Sequence, residues 1–427
     1  MTDTSGLVGR GMTAGAALFR EWFERLGAAG TAREPVAYVF VMGSLVELLR
    51  TFDLQVSFPE INSLQTAVRH VAQEYLNEAE DYGYSPDICG YVKADVAVQL
   101  RHGAHPMGRV PPPALAVLTN ACNTYIKWAE IWERLYHVPT VTIDIPGTRG
   151  EGAGPAKGGG EFAADVAYVA GQIDELIAVC ERVSGRRFDV DRLRESLDHA
   201  NAMNRAWRRV LALNANAPAV FGALAEGTIY LGVHNAFRGT AEGRKYFDDL
   251  VEELEHKAAH GIGTIDRETY RLLFVGVPCY PIFRRFSELF SEWGGVFVNS
   301  TYLWFASGGV DVPFEYDLAD PLRSLAEGTL LSVRHAMDSM FFQDRALLGL
   351  LEPYAVDGVV FHAIKSCRTV STGLADARRA VMAAAGTPSL FIESDMMDKR
   401  VVSEAQLKNR IDAFFEGLAA RRPAVTG

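Results

Sequence analysis

The sequence predicts an α/β protein: two lobes with mostly parallel sheets, a helical N-terminal segment and a helical middle region. Three observations predict it. Short apolar runs alternate with amphipathic helical runs in the first third of the chain and again in the last, the mark of parallel strands joined by crossover helices. Helical periodicity alone fills the stretch between them. The length, 427 residues, exceeds what one typical hydrophobic core serves. The expected divisions are a helical segment at 1–34, a first lobe at 35–160, a linking helical region at 161–265 and a second lobe at 266–427. Each lobe is expected to be Rossmann- or flavodoxin-like.

The elements follow in order. AGAALFREWFERLG (14–27) sets Leu18, Trp22, Phe23 and Leu26 on one helical face. PVAYVFVM reads as a strand and GSLVELLRTFDL as helical. INSLQTAVRHVAQEYLNEAEDYG reads as one long amphipathic helix capped by Asn62 or Ser63. ALAVLTNA is a strand, CNTYIKWAEIWERLY a helix and PTVTIDIP a strand. GTRGEGAGPAKGGGEF (147–162) is Gly-rich, fits no phosphate-loop pattern and reads as a flexible surface loop. Helices then run from Glu161 to about His260. YRLLFVGVP, GVFVNS, DGVVFHAI and PSLFIESD are the later strands. IFRRFSELFSEWG, GLADARRAVMAAAG and QLKNRIDAFFEGLAAR are the later helices.

A formal charge of −11 argues against nucleic acid or an anionic membrane surface as the main partner. No apolar run approaches the roughly 18 residues of a membrane helix. The N-terminus has no signal-peptide pattern, so a cytoplasmic location is expected. Five scattered cysteines, an odd number, do not make a disulfide framework.

Three thiols share a context. Cys89 stands before a helical run, Cys122 at a strand-to-helix junction, and Cys367 past the strand VVFHAI and before a helix. A helix N-terminus directs N–H groups and its positive dipole end at such a sulfur, which favours thiolate. Lys93, Lys127, Lys365 and Arg368 add positive charge nearby in sequence. Thiolates hold iron–sulfur clusters. On spacing alone these residues, 33 and 245 positions apart, read more readily as packed free thiols than as metal or cluster ligands. Cys180, mid-helix, reads as a buried structural thiol, and Cys279 as a weaker ligand candidate. His256 and His260 are four apart but lie on a charged helix face. His102 and His105 lie in a Gly/Pro turn. His362 is either a satisfied core histidine or a proton carrier near Cys367.

The junction sequences carry more information. CGYVKADV, NACNTYIKWAEI with PTVTIDIP, AFRGTAE, AIKSCR and FIESDMMD resemble, in order, the benzoyl-CoA reductase/2-hydroxyacyl-CoA dehydratase family. Within it the chain is most similar to the larger cluster-bearing subunit of the ATP-dependent reductases. The resemblance covers nearly the whole chain from about Pro35. It implies one [4Fe–4S] cluster held by Cys89, Cys122 and Cys367, with the fourth iron free of protein thiolate. It implies a related smaller cluster-bearing subunit, or a second copy, as partner. It also implies a separate ATP-hydrolysing iron–sulfur activator and an acyl-CoA substrate. His362, Glu47 and Ser44 become candidates for proton delivery, and Arg238 and Lys365 for CoA phosphates. Three activities follow: low-potential one-electron reduction of an aromatic acyl-CoA thioester, radical dehydration of an (R)-2-hydroxyacyl-CoA, or electron transfer by a subunit that binds no substrate.

Overall fold

The structure, a computed structural model, describes residues 7–148, 160–305, 314–337 and 340–421. Most of the Gly-rich run, 149–159, lies outside the described residues.

The first lobe begins with α1 (Arg10–Ala32), which buries Trp22, Phe23 and Leu26 and extends past the expected helix at both ends. Next come β1 (Val36–Val39), the short α2 (Val46–Arg50) and β2 (Gln55–Ser57). The single helix expected from Ile61 is two, α3 (Pro59–Val68) and α4 (Ala72–Asp81). Pro59 occupies an opening position, where its missing N–H costs nothing, so α3 starts before Asn62 and Ser63. Those two residues are interior and cap nothing. Asn62 Nδ2 donates to Ser57 Oγ and Ser63 Oγ to the Tyr91 carbonyl. His70, at φ 61°, separates the two helices. The lobe closes with α5 (Gly90–Leu100), the two-residue strands β3 (Ala104–His105) and β4 (Gly108–Arg109), β5 (Leu115–Thr119), α6 (Asn123–Tyr136) and β6 (Thr140–Ile143).

Four helices fill the middle: α7 (Gly160–Ser184), α8 (Val190–Leu213), α9 (Ala225–Ala236) and α10 (Ala241–Ala259). Asp189 caps α8 by accepting from Asp191 and Arg192, and Thr240 caps α10 by accepting from Gly243. The second lobe runs β7 (Tyr270–Gly276), α11 (Phe283–Ser291), β8 (Gly295–Ser300), α12 (Thr301–Phe305), α13 (Pro321–Met337) and α14 (Met340–Leu351). It continues with β9 (Gly358–Ile364), α15 (Arg368–Ser371), α16 (Leu374–Ala385), β10 (Ser389–Ser394) and α17 (Glu404–Arg421).

Both four-stranded sheets are parallel, in the orders β2-β1-β5-β6 and β10-β9-β7-β8. Setting aside the small β3–β4 hairpin, the two lobes share one topology, with the second strand at one edge and the first and third adjacent. That adjacency is the switch point of an open α/β sheet, where ligand sites form at the carboxyl ends of the strands. Helices cover both sheet faces, so β1, β5, β7 and β8 are buried along their whole length. One continuous apolar core joins both lobes and the middle helices. No helix among the described residues is long and apolar enough to cross a membrane.

Candidate functional site

Each of the three thiols occupies the N-cap of a helix: Cys89 of α5, Cys122 of α6 and Cys367 of α15. Cys122 lies three residues past the end of β5 and Cys367 three past the end of β9. These are the third strands of their sheets, so the two thiols take equivalent places in the two lobes. Cys89 arrives from outside the strands. The residue after it, Gly90, is pressed against the second lobe: a Cβ there would stand 2.6 Å from Met397 Cβ. Asp395, just beyond β10, accepts from the Met397 and Asp398 N–H groups on one oxygen and from the Ser366 N–H on the other. One carboxylate thus ties the Cys367 loop to the segment that receives Gly90.

All three thiols line one cavity of about 370 Å³. Its other walls include Phe19, Leu64, Trp128, Ile229 and Phe283, large apolar groups that exclude water.

Burial dominates the chemistry of the Cys89 and Cys367 sulfurs. Loss of solvation pushes the Cys89 thiol well up, the nearby Cys367 and Cys122 sulfurs push the same way, and the N–H groups of Val92 and Tyr91 oppose them. Cys367 is pushed up to about 11, again by burial, against the N–H groups of Val370 and Thr369. For Cys89 and Cys367, helix N-termini alone therefore do not make free thiolates, as the sequence had suggested. The N–H groups act in the expected direction and desolvation outweighs them. A bound metal reverses the balance, because a coordinating thiol is deprotonated outright. Three thiols grouped closely enough to repel one another as anions, with N–H groups at two of the sulfurs, fit iron–sulfur ligation. A cubane spreads its thiolates over separate irons. No group of three or more His, Cys, Asp or Glu side chains among the described residues is placed to hold a single metal ion. Cys180 is buried in α7, and buried Cys279 accepts from Ser394 Oγ at 3.7 Å; neither lines the cavity.

The other candidates are dispersed. His362 is fully buried, with Nδ1 2.6 Å from the Val277 carbonyl and Nε2 at Ser394 Oγ. Burial lowers it to about 4, so it is neutral at pH 7, and it does not line the cavity. Glu47 is buried 2.6 Å from Arg238 Nε, and Arg238 also donates to Tyr316 Oη at 2.6 Å. Arg238 therefore bridges the first lobe to the rest of the chain and faces no open site. Removing its partner strands a buried charge, so Glu47→Ala is expected to lower unfolding free energy by about 3–5 kcal/mol in denaturant titration. Ser44 is buried and outside the cavity lining. Lys365 is exposed, 3.5 Å from Glu393. Lys93 turns to Glu80 at 2.8 Å, and Lys127 to Glu130 at 2.8 Å. The charge that sequence proximity placed beside Cys89 is spent on Glu80. His105 is no surface turn: its ring stacks on Phe23 and contacts the Asn62 carbonyl at 2.9 Å.

A group missed in the sequence stands in the cavity wall. Glu60, the second residue of α3, accepts from the Val41 N–H and from Tyr125 O–H, both at 2.7 Å. Burial raises it to about 7 against both hydrogen bonds. Burial raises the nearby Tyr91, Tyr280 and Tyr302 phenols, and the Glu60 charge adds to it. In the sequence Glu60 is marked only by its place in the apolar run SFPEINSL, which does not say what it faces.

The helices bearing Cys89 and Cys122 are locked together by Asp95 of α5. It accepts from Trp128 and Trp132 of α6, both at 2.7 Å, and from Gln99 at 2.8 Å. Asp95→Ala leaves two buried indole N–H groups without an acceptor. It is expected to cost about 2–4 kcal/mol of stability, read as a lower melting temperature.

On the outer side of Cys89 lies a surface groove flanked by Tyr82, Tyr84, Lys127, Arg134 and Arg368. Cys89 borders both the buried cavity and this groove.

The model of the family described as "2-hydroxyglutaryl-CoA dehydratase, D-component" matches residues 43–418. The benzoyl-CoA reductase of Thauera aromatica has a subunit that is 33% identical over 411 residues, covering 94% of this chain and 92% of that one. The "(R)-phenyllactyl-CoA dehydratase alpha subunit" of Clostridium sporogenes is 26% identical, covering 88% of each chain. The alpha subunit of the (R)-2-hydroxyglutaryl-CoA dehydratase of Acidaminococcus fermentans is 23% identical, covering 88% of this chain and 90% of that one.

Proposed function

The chain belongs to the 2-hydroxyglutaryl-CoA dehydratase D-component family, and from that premise we propose that it is the cluster-bearing, substrate-binding subunit of an ATP-dependent reductase of the benzoyl-CoA type. It is an enzyme subunit acting on acyl-CoA thioesters. A related subunit completes the enzyme, and a separate ATP-hydrolysing iron–sulfur protein supplies electrons. Cys89, Cys122 and Cys367 hold one [4Fe–4S] cluster. When bound, that cluster supplies electrons singly at low potential and leaves one iron open.

The observation that carries this reading is the grouping of three thiols, from three separate elements, on the wall of one apolar cavity. The protein's own residues do the remaining work. The apolar walls keep water from a strongly reducing centre and seat an aromatic ring. Glu60, poised near neutrality, holds a proton beside the place where charge develops on the ring. Tyr125 and the Val41 amide fix that carboxyl. The groove beside Cys89 offers a short path from the surface for an electron donor.

The family description and two of the relatives favour a second reading, dehydration of an (R)-2-hydroxyacyl-CoA with no net reduction. Anaerobic iron and sulfide analysis with EPR, with and without benzoyl-CoA, tests the first. About four irons, a spectrum perturbed by benzoyl-CoA and stoichiometric use of reductant are expected. A spectrum perturbed by a 2-hydroxyacyl-CoA, with product formed and no reductant consumed, selects dehydration. Absence of iron after anaerobic handling overturns both.

A further inference from the structure

α3 lies along the cavity as a ruler. Glu60, Ile61, Leu64, Gln65, Val68 and Arg69 all line it, the spacing of one helical face. Glu60, hydrogen-bonded to Tyr125 one turn after Cys122, marks the thiol end. Arg69, at the C-cap, is exposed and marks the mouth. Nine residues at 1.5 Å each separate the two by about 14 Å. The ends differ in charge as well as depth. Among the described lining residues Glu60 is the one acid and Arg69 the one strong cation.

Arg69 has no structural employment. Its guanidinium makes no hydrogen bond or ion pair among the described residues, and the Gln65 side chain, one turn earlier, makes no hydrogen bond either. By contrast, Arg101 is paired with Glu78 and Arg25 with Glu21. In a chain of charge −11, Arg69 stands as an unpaired guanidinium at the mouth of an apolar cavity. Guanidinium is suited to phosphate, with its fork of donors.

We propose that Arg69 is the phosphate anchor for the CoA moiety of the substrate, with Gln65 meeting a pantetheine amide, and that α3 sets the reach from anchor to reacting acyl group. The proposal rests on the acyl-CoA reading above. A pantetheine arm has about the backbone length of four extended residues, roughly 14 Å, which matches the span from Arg69 to Glu60. The anchor assigned from the sequence to Arg238 and Lys365 thus moves to Arg69. Arg238 is buried on Glu47, and Lys365 lies outside the cavity lining.

The test is calorimetric binding to the anaerobically purified enzyme, with benzoyl-CoA and with S-benzoyl-pantetheine, which lacks the phosphates. Arg69→Ala is expected to weaken benzoyl-CoA about tenfold and leave the truncated thioester unchanged. Arg69→Lys is expected to recover part of the loss, and added salt to shrink the difference. Arg69 is exposed, so these variants keep the fold. Equal affinity of wild type and Arg69→Ala for benzoyl-CoA overturns the anchor and leaves the acyl-CoA reading standing. Equal weakening of both thioesters also overturns it, since the effect is then not on phosphate. Failure of the wild type to bind any CoA thioester overturns the functional reading, and the anchor with it.

Discussion

Cys122→Ser, purified anaerobically with its partner subunit, is expected to lose iron and reductase activity together, with activity falling more than about 100-fold. That bound follows because changing outer-shell groups of metal sites already costs about 10- to 100-fold. Cys89→Ser and Cys367→Ser should behave alike, because the three thiols line one cavity. Cys180→Ala is the control. Its sulfur is buried in α7, away from that cavity. It should keep its iron and lose about 1 kcal/mol of stability, the typical cost of a core substitution. Iron and sulfide analysis on the four variants separates the cases. Iron lost from Cys180→Ala but kept in Cys367→Ser overturns the ligand assignment.

Glu60→Gln is expected to remove a pH dependence in both activity and stability. Burial raises this carboxyl to about 7, so between its ordinary range and neutrality the folded protein binds a proton that the unfolded chain does not. Folding stability is therefore full at low pH and declines as pH climbs toward 7, by a total of about 3 kcal/mol. Glutamine keeps the neutral state at every pH. The variant should be the more stable protein at about pH 8, with little difference at about pH 4.5. Activity dependent on a protonated Glu60 should fall in the wild type above about pH 7. In Glu60→Gln it should be low throughout. Denaturant titrations at the two pH values and a kcat/KM profile check both halves. A profile with its limb near neutrality intact in Glu60→Gln assigns that limb to another group. The nearby tyrosines, Tyr125, Tyr91, Tyr280 and Tyr302, have pKa values raised away from neutrality.

Much of the fold was legible because strand and helix signals are local. ALAVLTNA and DGVVFHAI are apolar runs bounded by polar junctions, and they form β5 and β9. The position of Cys122 and Cys367 past those ends followed directly. The break between α3 and α4 was not legible, since the apolar period runs through His70 and the left-handed turn there is not written in composition. Helices α13 and α14 also escaped the sequence reading. Of the candidate site, the thiols could be found as helix starts. Glu60 and Arg69 could not, because a carboxylate near a helix start and an arginine near its end are ordinary residues until something is known to face them.

The sequence by itself determined the alternation of strands and helices, the absence of a membrane-length apolar run and the three thiols at helix N-caps. Only the tertiary structure decided what those features face. Cys89 and Cys367 are 278 residues apart in the chain, and their meeting depends on Gly90 packing against Met397 and on Asp395 tying the Cys367 loop beside it. Burial then settled their charge, lifting thiols that helix dipoles alone would have lowered. It likewise assigned Arg238 to Glu47 and left Arg69 at the cavity mouth. Propensity and periodicity act over a few residues, whereas desolvation and charge pairing depend on neighbours that only the folded chain brings together.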